Sequence, residues 1–323
     1  MLSEIPRVVQ RAADQAALLY LHDPNVSLID IGWRIRDRQD YAVEREICVR
    51  VHLRNKLRGD DFRSFAERHP ERVIDANLIG YTVDLPGDAR YYPHLVTGYS
   101  PVSLYRRVVS ADPICGGISI SNPLMEWAGT LGGWVIDRQT KQDMILSNWH
   151  VLCCPWAEWN NLPIYQPGRL DGGFDYYTVA YTARHAMDQN VDAAVAVLTG
   201  MRRLINNQRE IGAVTGVTSP RLGMHVVKSG RTTGRTAGVI DGFAGRKMFN
   251  YFGFSRMLRE YFRIIPTVEN SQVSAPGDSG ALWLEEGTGR AVGLHFGGNN
   301  DPEVALAFSM PEVLEALQVD LVI

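Results

Sequence analysis

The stretch Ser274-Ala275-Pro276-Gly277-Asp278-Ser279-Gly280-Ala281-Leu282 decides how this chain reads. Two glycines bracket an Asp-Ser pair, and the apolar run Ala281-Leu282-Trp283-Leu284 follows at once. Glycine reaches backbone conformations closed to other residues, so Gly277 lets the backbone turn just before Ser279, which sits at the edge of a strand. A second apolar run, Ala291-Val292-Gly293-Leu294-His295-Phe296-Gly297-Gly298, lies just downstream. A Gly-Asp-Ser-Gly tetrapeptide arises by chance in about one chain of this length in a hundred at ordinary residue usage, so its meaning depends on its surroundings.

From about Ala111 to the C-terminus, short apolar segments alternate with glycine-rich turns at Cys115-Gly116-Gly117, Gly129, Gly132-Gly133, Gly172-Gly173, Gly212, Gly216, Gly230, Gly234, Gly238 and Gly242. Regular turn signals between short strands predict an all-β sandwich or barrel, and roughly 210 residues suit two small barrels packed together. Pro311 to Gln318, with Val313, Leu314 and Leu317 on one side, reads as a terminal helix. Residues 1–108 have a different character. A helix is predicted over 3–22, with Ser3 as cap and Pro6 in the first turn. Strands are predicted over Val26–Arg36 and Glu44–Leu53, where Ile47, Val49, Val51 and Leu53 alternate with polar partners. A short helix near Phe62, Phe65 and Ala66 and a strand over Leu78–Leu85 complete a small mixed α/β unit.

Composition narrows the function classes. The 323 residues are 45% hydrophobic and 21% charged, which excludes wholesale disorder. A formal net charge of −3 provides no field for nucleic acid or an anionic membrane. No apolar run approaches the ~18 residues of a membrane-spanning helix. Arg34, Arg36, Arg38, Arg45, Arg50 and Arg54 are interleaved with acidic residues and read as a solvated face rather than a nucleic-acid patch. Glu4 and Asp14 precede the apolar stretch Ala16–Leu21 and no small-residue cleavage site follows it, so it reads as a buried helical face rather than a secretion signal. Cys48, Cys115, Cys153 and Cys154 form no CxxC pair and no metal-ligand pattern with the eight histidines. A cytoplasmic protein with reduced thiols is expected, with no metal and no organic cofactor.

Three polar residues sit at the edges of small apolar strands. They are His150, after Ile145-Leu146-Ser147-Asn148-Trp149; Asp192, before Ala193-Ala194-Val195-Ala196-Val197; and Ser279. A serine hydroxyl is a poor nucleophile at neutral pH. It needs a base within hydrogen-bond reach, and the base needs a third group to fix its tautomer. His150, Asp192 and Ser279 supply these parts in the order His…Asp…Ser. Asp175 and Asp188 are rivals for Asp192, but no alternating buried strand follows either of them. The N–H groups of Gly277 and Ser279 are candidate donors to a developing oxyanion.

These residues resemble the chymotrypsin-like (trypsin-fold) serine proteases, over about 210 residues from Ala111 onward. Val227-Lys228-Ser229-Gly230-Arg231-Thr232-Thr233-Gly234 is similar to a segment of the bacterial alpha-lytic and streptogrisin proteases. The leading α/β unit and Gln166-Pro167-Gly168-Arg169-Leu170-Asp171-Gly172-Gly173 resemble intracellular bacterial trypsin-like proteins, and plant Narrow leaf-type proteases are similar. The resemblance implies a mainly β fold of two packed six-stranded β-barrels, at about 109–210 and 211–323, behind an α/β accessory domain at 1–108. It implies a serine endopeptidase acting on protein or peptide substrates through an acyl-enzyme. It also implies a buried ion pair between Asp278 and Lys228, with Arg231 as the alternative partner, and hence a protein competent without zymogen cleavage. The primary pocket would be lined by Val273, Ser274, His295, Phe296 and Gly297. Val273 offers no carboxylate, which disfavours selection of Lys or Arg. His295 resembles the pocket histidine of glutamyl endopeptidases and of picornaviral chymotrypsin-like cysteine proteases, and an imidazole with the Ser274 hydroxyl suits Glu or Gln; the opposing reading makes His295 a packing residue. Two other readings of the chain are a catalytically silent pseudoprotease that binds proteins, and an N-terminal unit that gates the cleft or recruits a regulatory partner.

Overall fold

The computed structural model describes residues 5–34, 46–55, 57–66, 79–83, 92–93, 113–153, 160–189, 191–268, 271–300 and 303–323. Strands dominate them, as the short apolar segments predict. One sheet has six strands in the order Pro163–Tyr165, Thr178–His185, Ala194–Leu198, Asp143–Ser147, Gly133–Asp137 and Val319–Leu321. Its hairpin Gly133–Asp137/Asp143–Ser147 alternates inward Gly133 and Val135 with the half-buried Trp134 and Ile136, the period of a strand with one wet face. The C-terminal strand comes back to this sheet, Val319 opposite Asp137 and Leu321 opposite Val135.

A second, larger sheet has eleven strands. His225–Gly230 pairs on both sides, with Leu282–Glu285 and with Gly234–Tyr251, so these three close a ring with Arg290–Asn300, Glu303–Ser309 and Phe254–Pro266. The mainly β expectation therefore holds. Beside the closed ring of six, which carries additional strands, the six-strand order is accompanied by the pairs Leu204–Gln208/Ile114–Gly116 and Ser119–Ile120/Gly129–Thr130, the latter bridged to it between Ser121 and Tyr165.

Those additional strands come largely from the N-terminal unit. Val26–Trp33 lies antiparallel to Gly234–Tyr251, with Ile29 opposite Arg246 and Gly32 opposite Gly242; Ile47–Leu53 and Ile79–Val83 follow outward. The helix Arg7–Tyr20 packs Val9, Ala12, Ala13, Ala16 and Tyr20 inward, and Tyr20 stacks on Phe65 of the helix Gly59–Ala66. The first helix starts at Arg7, so Pro6 precedes it as cap instead of lying in its first turn, and Ser3 is outside the described residues. Ile29, Val49 and Val51 share one apolar core with Phe262, Ile264 and Trp283 of the ring. The boundary at 108/109 lies outside the described residues.

Two expectations are corrected here. Gly238 and Gly242 are not turns but interior positions of the 18-residue strand Gly234–Tyr251. A β-carbon at Gly242 would collide with the Asp30 carboxylate and the Arg50 guanidinium, and one at Gly238 with Ile264, so these glycines mark close approach. Arg50, read as part of a solvated face, is buried instead. It donates to Asp30 from Nε at 2.7 Å and Nη2 at 2.5 Å, and from Nη1 to Asp241 at 3.1 Å. Burying a guanidinium is tolerable only with such partners. Arg36, Arg38 and Arg45 are outside the described residues.

Among the described residues no helix is long and apolar enough to cross a membrane. Cys48, Cys115 and Cys153 are buried thiols, and Cys154 is outside the described set.

Candidate active site

The strand Asp143–Ser147 ends at Asn148, which caps the single-turn helix Trp149–Leu152 and turns His150 inward. The neighbouring strand Ala194–Leu198 pairs Ala194 with Ser147, bringing Asp192, just before it, alongside His150. Both residues are fully buried. His150 Nδ1 contacts Asp192 Oδ2, the His150 backbone N–H donates to Oδ1 at 3.1 Å, and Asn148 Nδ2 donates to the Asp192 carbonyl at 2.6 Å. A carboxylate accepts only, so this contact puts the proton of a neutral imidazole on Nδ1 and the lone pair on Nε2. Nε2 is buried and has no hydrogen-bond partner among the described residues. The two rivals go elsewhere: Asp175 takes the Tyr165 hydroxyl, and Asp188 is exposed.

Ser279 arrives from the ring. Gly277 has φ +99° and Gly280 φ +96°, the left-handed region that glycine alone enters without strain. A β-carbon on Gly280 would collide with Ser147 Oγ and the Thr130 carbonyl, so this turn fits flush against the first sheet. The Thr130 N–H donates to the Ser279 carbonyl at 2.8 Å. Gly129 is wedged between Val151, the residue after His150, and the Ser279 carbonyl, 3.1 Å from where its β-carbon would lie. Ser279 is buried, and its Oγ donates to the Phe296 carbonyl at 3.3 Å. No described residue accepts from the Gly277 N–H, while its carbonyl accepts from Thr130 Oγ1 at 2.9 Å.

Asp278 points the other way, into the ring. Lys228 Nζ and Thr233 Oγ1 donate to its Oδ2 at 2.8 and 2.6 Å, and the Thr232 and Thr233 N–H groups donate to Oδ1 at 2.8 and 3.1 Å. Burial alone would raise this carboxyl, but the Lys228 charge and these donors hold it well below the ordinary carboxylate range. Of the two cations considered for Asp278, Lys228 is therefore its partner. Arg231 is paired instead with Asp171, from Nε at 2.8 Å and Nη2 at 2.5 Å, and Ser119 Oγ donates to the same carboxylate at 2.6 Å.

The residues expected to line a pocket divide. Val273 lies in an apolar cluster with Ile264 and Trp283, and Phe296 stacks on Phe308 at 4.5 Å with Phe249 and Tyr261 edge-on. On the strand Arg290–Asn300, His295 and Phe296 face opposite sides. His295 lies edge-on to Trp283 at 6.1 Å and is close enough to help lower Asp278. Ser274 Oγ is buried with no partner among the described residues, while the Ser274 N–H donates to Glu303 Oε1 at 3.0 Å. Gly297 and Gly298 pair antiparallel with Pro93 and Tyr92.

Sequence reasoning missed three participants: Asp171, Glu303 and Tyr251. The Tyr251 hydroxyl donates to Asp192 Oδ2 at 2.9 Å. Burial, then the Asp192 charge, pushes this phenol well above its ordinary value, so it stays a donor. Tyr251 precedes the turn Phe252-Gly253, with φ +53° and +91°, that closes the hairpin Gly234–Tyr251/Phe254–Pro266. A glycine after an aromatic was the one local signal of that turn, and nothing local says that it reaches the other sheet.

This backbone is similar to those of chymotrypsin-like serine proteases of known structure. The Nocardiopsis protease matches at TM-score 0.46 and 18% identity, over 64% of this chain and 98% of its own. A glutamic acid specific serine protease described as using a histidine triad in substrate binding matches at TM-score 0.46 and 16% identity, over 65% of this chain and 100% of its own. The Rv3671c protease of M. tuberculosis, in its active form, matches at TM-score 0.41 and 19% identity, over 74% of this chain and 96% of its own. No family model matches the sequence, and no curated protein matches it. At such scores the likeness is partial, and the chemistry rests on the site's own geometry.

Proposed function

We propose that the chain is a serine endopeptidase. Ser279 Oγ attacks the peptide carbonyl while His150 Nε2 takes its proton, and the Gly277 and Ser279 N–H groups receive the oxyanion. His150 then protonates the leaving amine, and water activated by the same imidazole hydrolyses the acyl-enzyme. Asp192 orients the ring and stabilises its charged form. The observation that carries this reading is a buried imidazole whose Nδ1 is against a carboxylate and whose Nε2 lacks a partner, one glycine away from the loop that carries Ser279. The hydroxyl must rotate from the Phe296 carbonyl to His150, a change common between free and substrate-bound enzymes. Wild type should react stoichiometrically with a fluorophosphonate probe and Ser279→Ala should not; an unreactive wild type would favour the silent binding module. Triad variants lose on the order of a million-fold in turnover.

For the residue preceding the cleaved bond, Glu or Gln is proposed, supported by His295 and the unpartnered Ser274 hydroxyl. A peptide library should yield cleavage after these residues; cleavage after Ala, Val or aromatic residues removes the idea. The proposal includes a cytoplasmic location, supported by the buried thiols of Cys48, Cys115 and Cys153, and recovery from an oxidising compartment would contradict it.

A regulatory role for the N-terminal unit is also proposed, favoured by the pairing of Tyr92–Pro93 with Gly297–Gly298. An extended substrate adds to a free sheet edge by the same main-chain bonds. The unit's own strand lies on an edge continuous with Phe296, whose carbonyl holds Ser279 Oγ. Cutting an engineered protease site between Pro93 and Pro113 should speed probe labelling. An unchanged rate would return the protein to competence without cleavage.

A further inference from the structure

We propose that Tyr251 is a positioning residue of the triad, holding the Asp192 carboxylate from the tip of a hairpin that belongs to the other sheet. This rests on the triad reading above. Asp192 has two carboxylate oxygens to satisfy in a dry site. Oδ1 takes the His150 backbone N–H, and Oδ2, which faces the imidazole, takes the Tyr251 hydroxyl at 2.9 Å. An unsatisfied carboxylate oxygen there would be costly, and without the phenol the imidazole alone would hold Oδ2.

The hairpin tip also grips the base directly. The Tyr251 ring is 5.9 Å from the His150 ring and edge-on to Trp149 at 6.1 Å. The next residue, Phe252, stacks at 4.9 Å and 8° on Trp127, whose Nε1 donates to the His150 carbonyl at 3.2 Å. One two-residue tip thereby fixes the acid, the ring and the backbone of the base. The phenol has an electrostatic effect too. A proton donated to Oδ2 withdraws charge from the oxygen that stabilises the imidazolium, so the hydroxyl tempers how strongly the site favours the charged ring. Other titratable groups nearby are Tyr261, on the return strand, and His185, edge-on to Trp149 at 6.5 Å and influenced by Asp188 and Arg256; none of these bonds to Asp192.

The test compares wild type, Tyr251→Phe, Phe249→Leu and Ser279→Ala by probe labelling, peptide kinetics across pH and thermal melting. Tyr251→Phe should still label at Ser279, with kcat lowered on the order of tenfold and KM unchanged, as for a lost hydrogen bond to a charged group. The acid limb of its kcat/KM profile should move to higher pH. Phe249→Leu loosens the same aromatic cluster without touching Asp192, so it should lower melting and leave the limb in place. A site-specific difluorotyrosine at 251, a stronger donor of nearly the same shape, should move the limb the opposite way and covers the case in which Tyr251→Phe fails to fold. A Tyr251→Phe profile equal to wild type, or equal shifts in Phe249→Leu, overturns the proposal while Ser279 labelling still upholds the triad. Loss of labelling in wild type fells both.

Discussion

Asp278 and Lys228 show what a single buried residue does for the turn that bears the nucleophile. The carboxylate has no exposure, yet it collects a charge, a hydroxyl and backbone N–H groups from Thr232, Thr233 and Ala275. These bonds tie 228–233 to 275–278 and so set where Gly277 and Ser279 point their N–H groups. Asp278→Asn removes the carboxylate charge that Lys228 Nζ bonds at 2.8 Å, and breaking such a buried pair costs about 3–5 kcal/mol. Chemical denaturation should register that loss together with a fall in labelling rate at Ser279. A variant as stable and as reactive as wild type would show that the turn is held by its other contacts.

At the scale of elements, the first-sheet hairpin is stitched to the C-terminal helix by one aspartate. Asp137, at the end of Gly133–Asp137, accepts from the Gln139 and Thr140 N–H groups at 2.9 and 2.6 Å and from Arg184 at 2.6 Å. Arg184 in turn donates to the Leu317 carbonyl, at the end of the helix Met310–Leu317, at 2.8 Å. The backbone N–H of Thr140, then Arg184, hold the Asp137 carboxyl well below its ordinary range. A depressed carboxylate contributes stability that is complete above its unfolded value and is lost as pH falls below it, from about pH 4 downward. Asp137→Ala should therefore cost about 1–3 kcal/mol at pH 7, with the gap between variant and wild-type melting curves narrowing steadily as pH falls below about 4. A gap that stays constant with pH would mean that the hydrogen bonds count only through shape.

The whole molecule is held at the junction between its N-terminal strands and the ring. Asp30, Arg50 and Asp241 form a buried chain there, His52 Nε2 lies 3.1 Å from Asp30, and Arg263 reaches Asp241 at 3.3 Å. Gly242 has no side chain because these groups occupy its space. Asp30→Asn removes one of the two carboxylates that Arg50 pairs with, the one that takes its Nε and Nη2, an expected loss of about 3 kcal/mol. Because the strands share one core with the ring, the loss should appear as earlier unfolding of the entire protein in a single transition. A separate early transition confined to the N-terminal unit would show that it unfolds independently.

The amino-acid sequence by itself determined the strand-rich character, the two helices of the N-terminal unit, the terminal helix, and the residue types at Ser279, His150, Asp192, Asp278 and Lys228. The elements follow from local periodicity and glycine turns, Ser279, His150 and Asp192 from the few chemistries open to such side chains, and the Asp278–Lys228 pair from the family resemblance. Arg50 was misread because only a fold can pair residues 30, 50 and 241. Tertiary structure alone decided that Gly238 and Gly242 lie inside a long strand, that the N-terminal strands extend the ring, and that Tyr251 crosses to Asp192. Each depends on contacts between residues far apart in the chain, and such contacts leave no period or spacing to read.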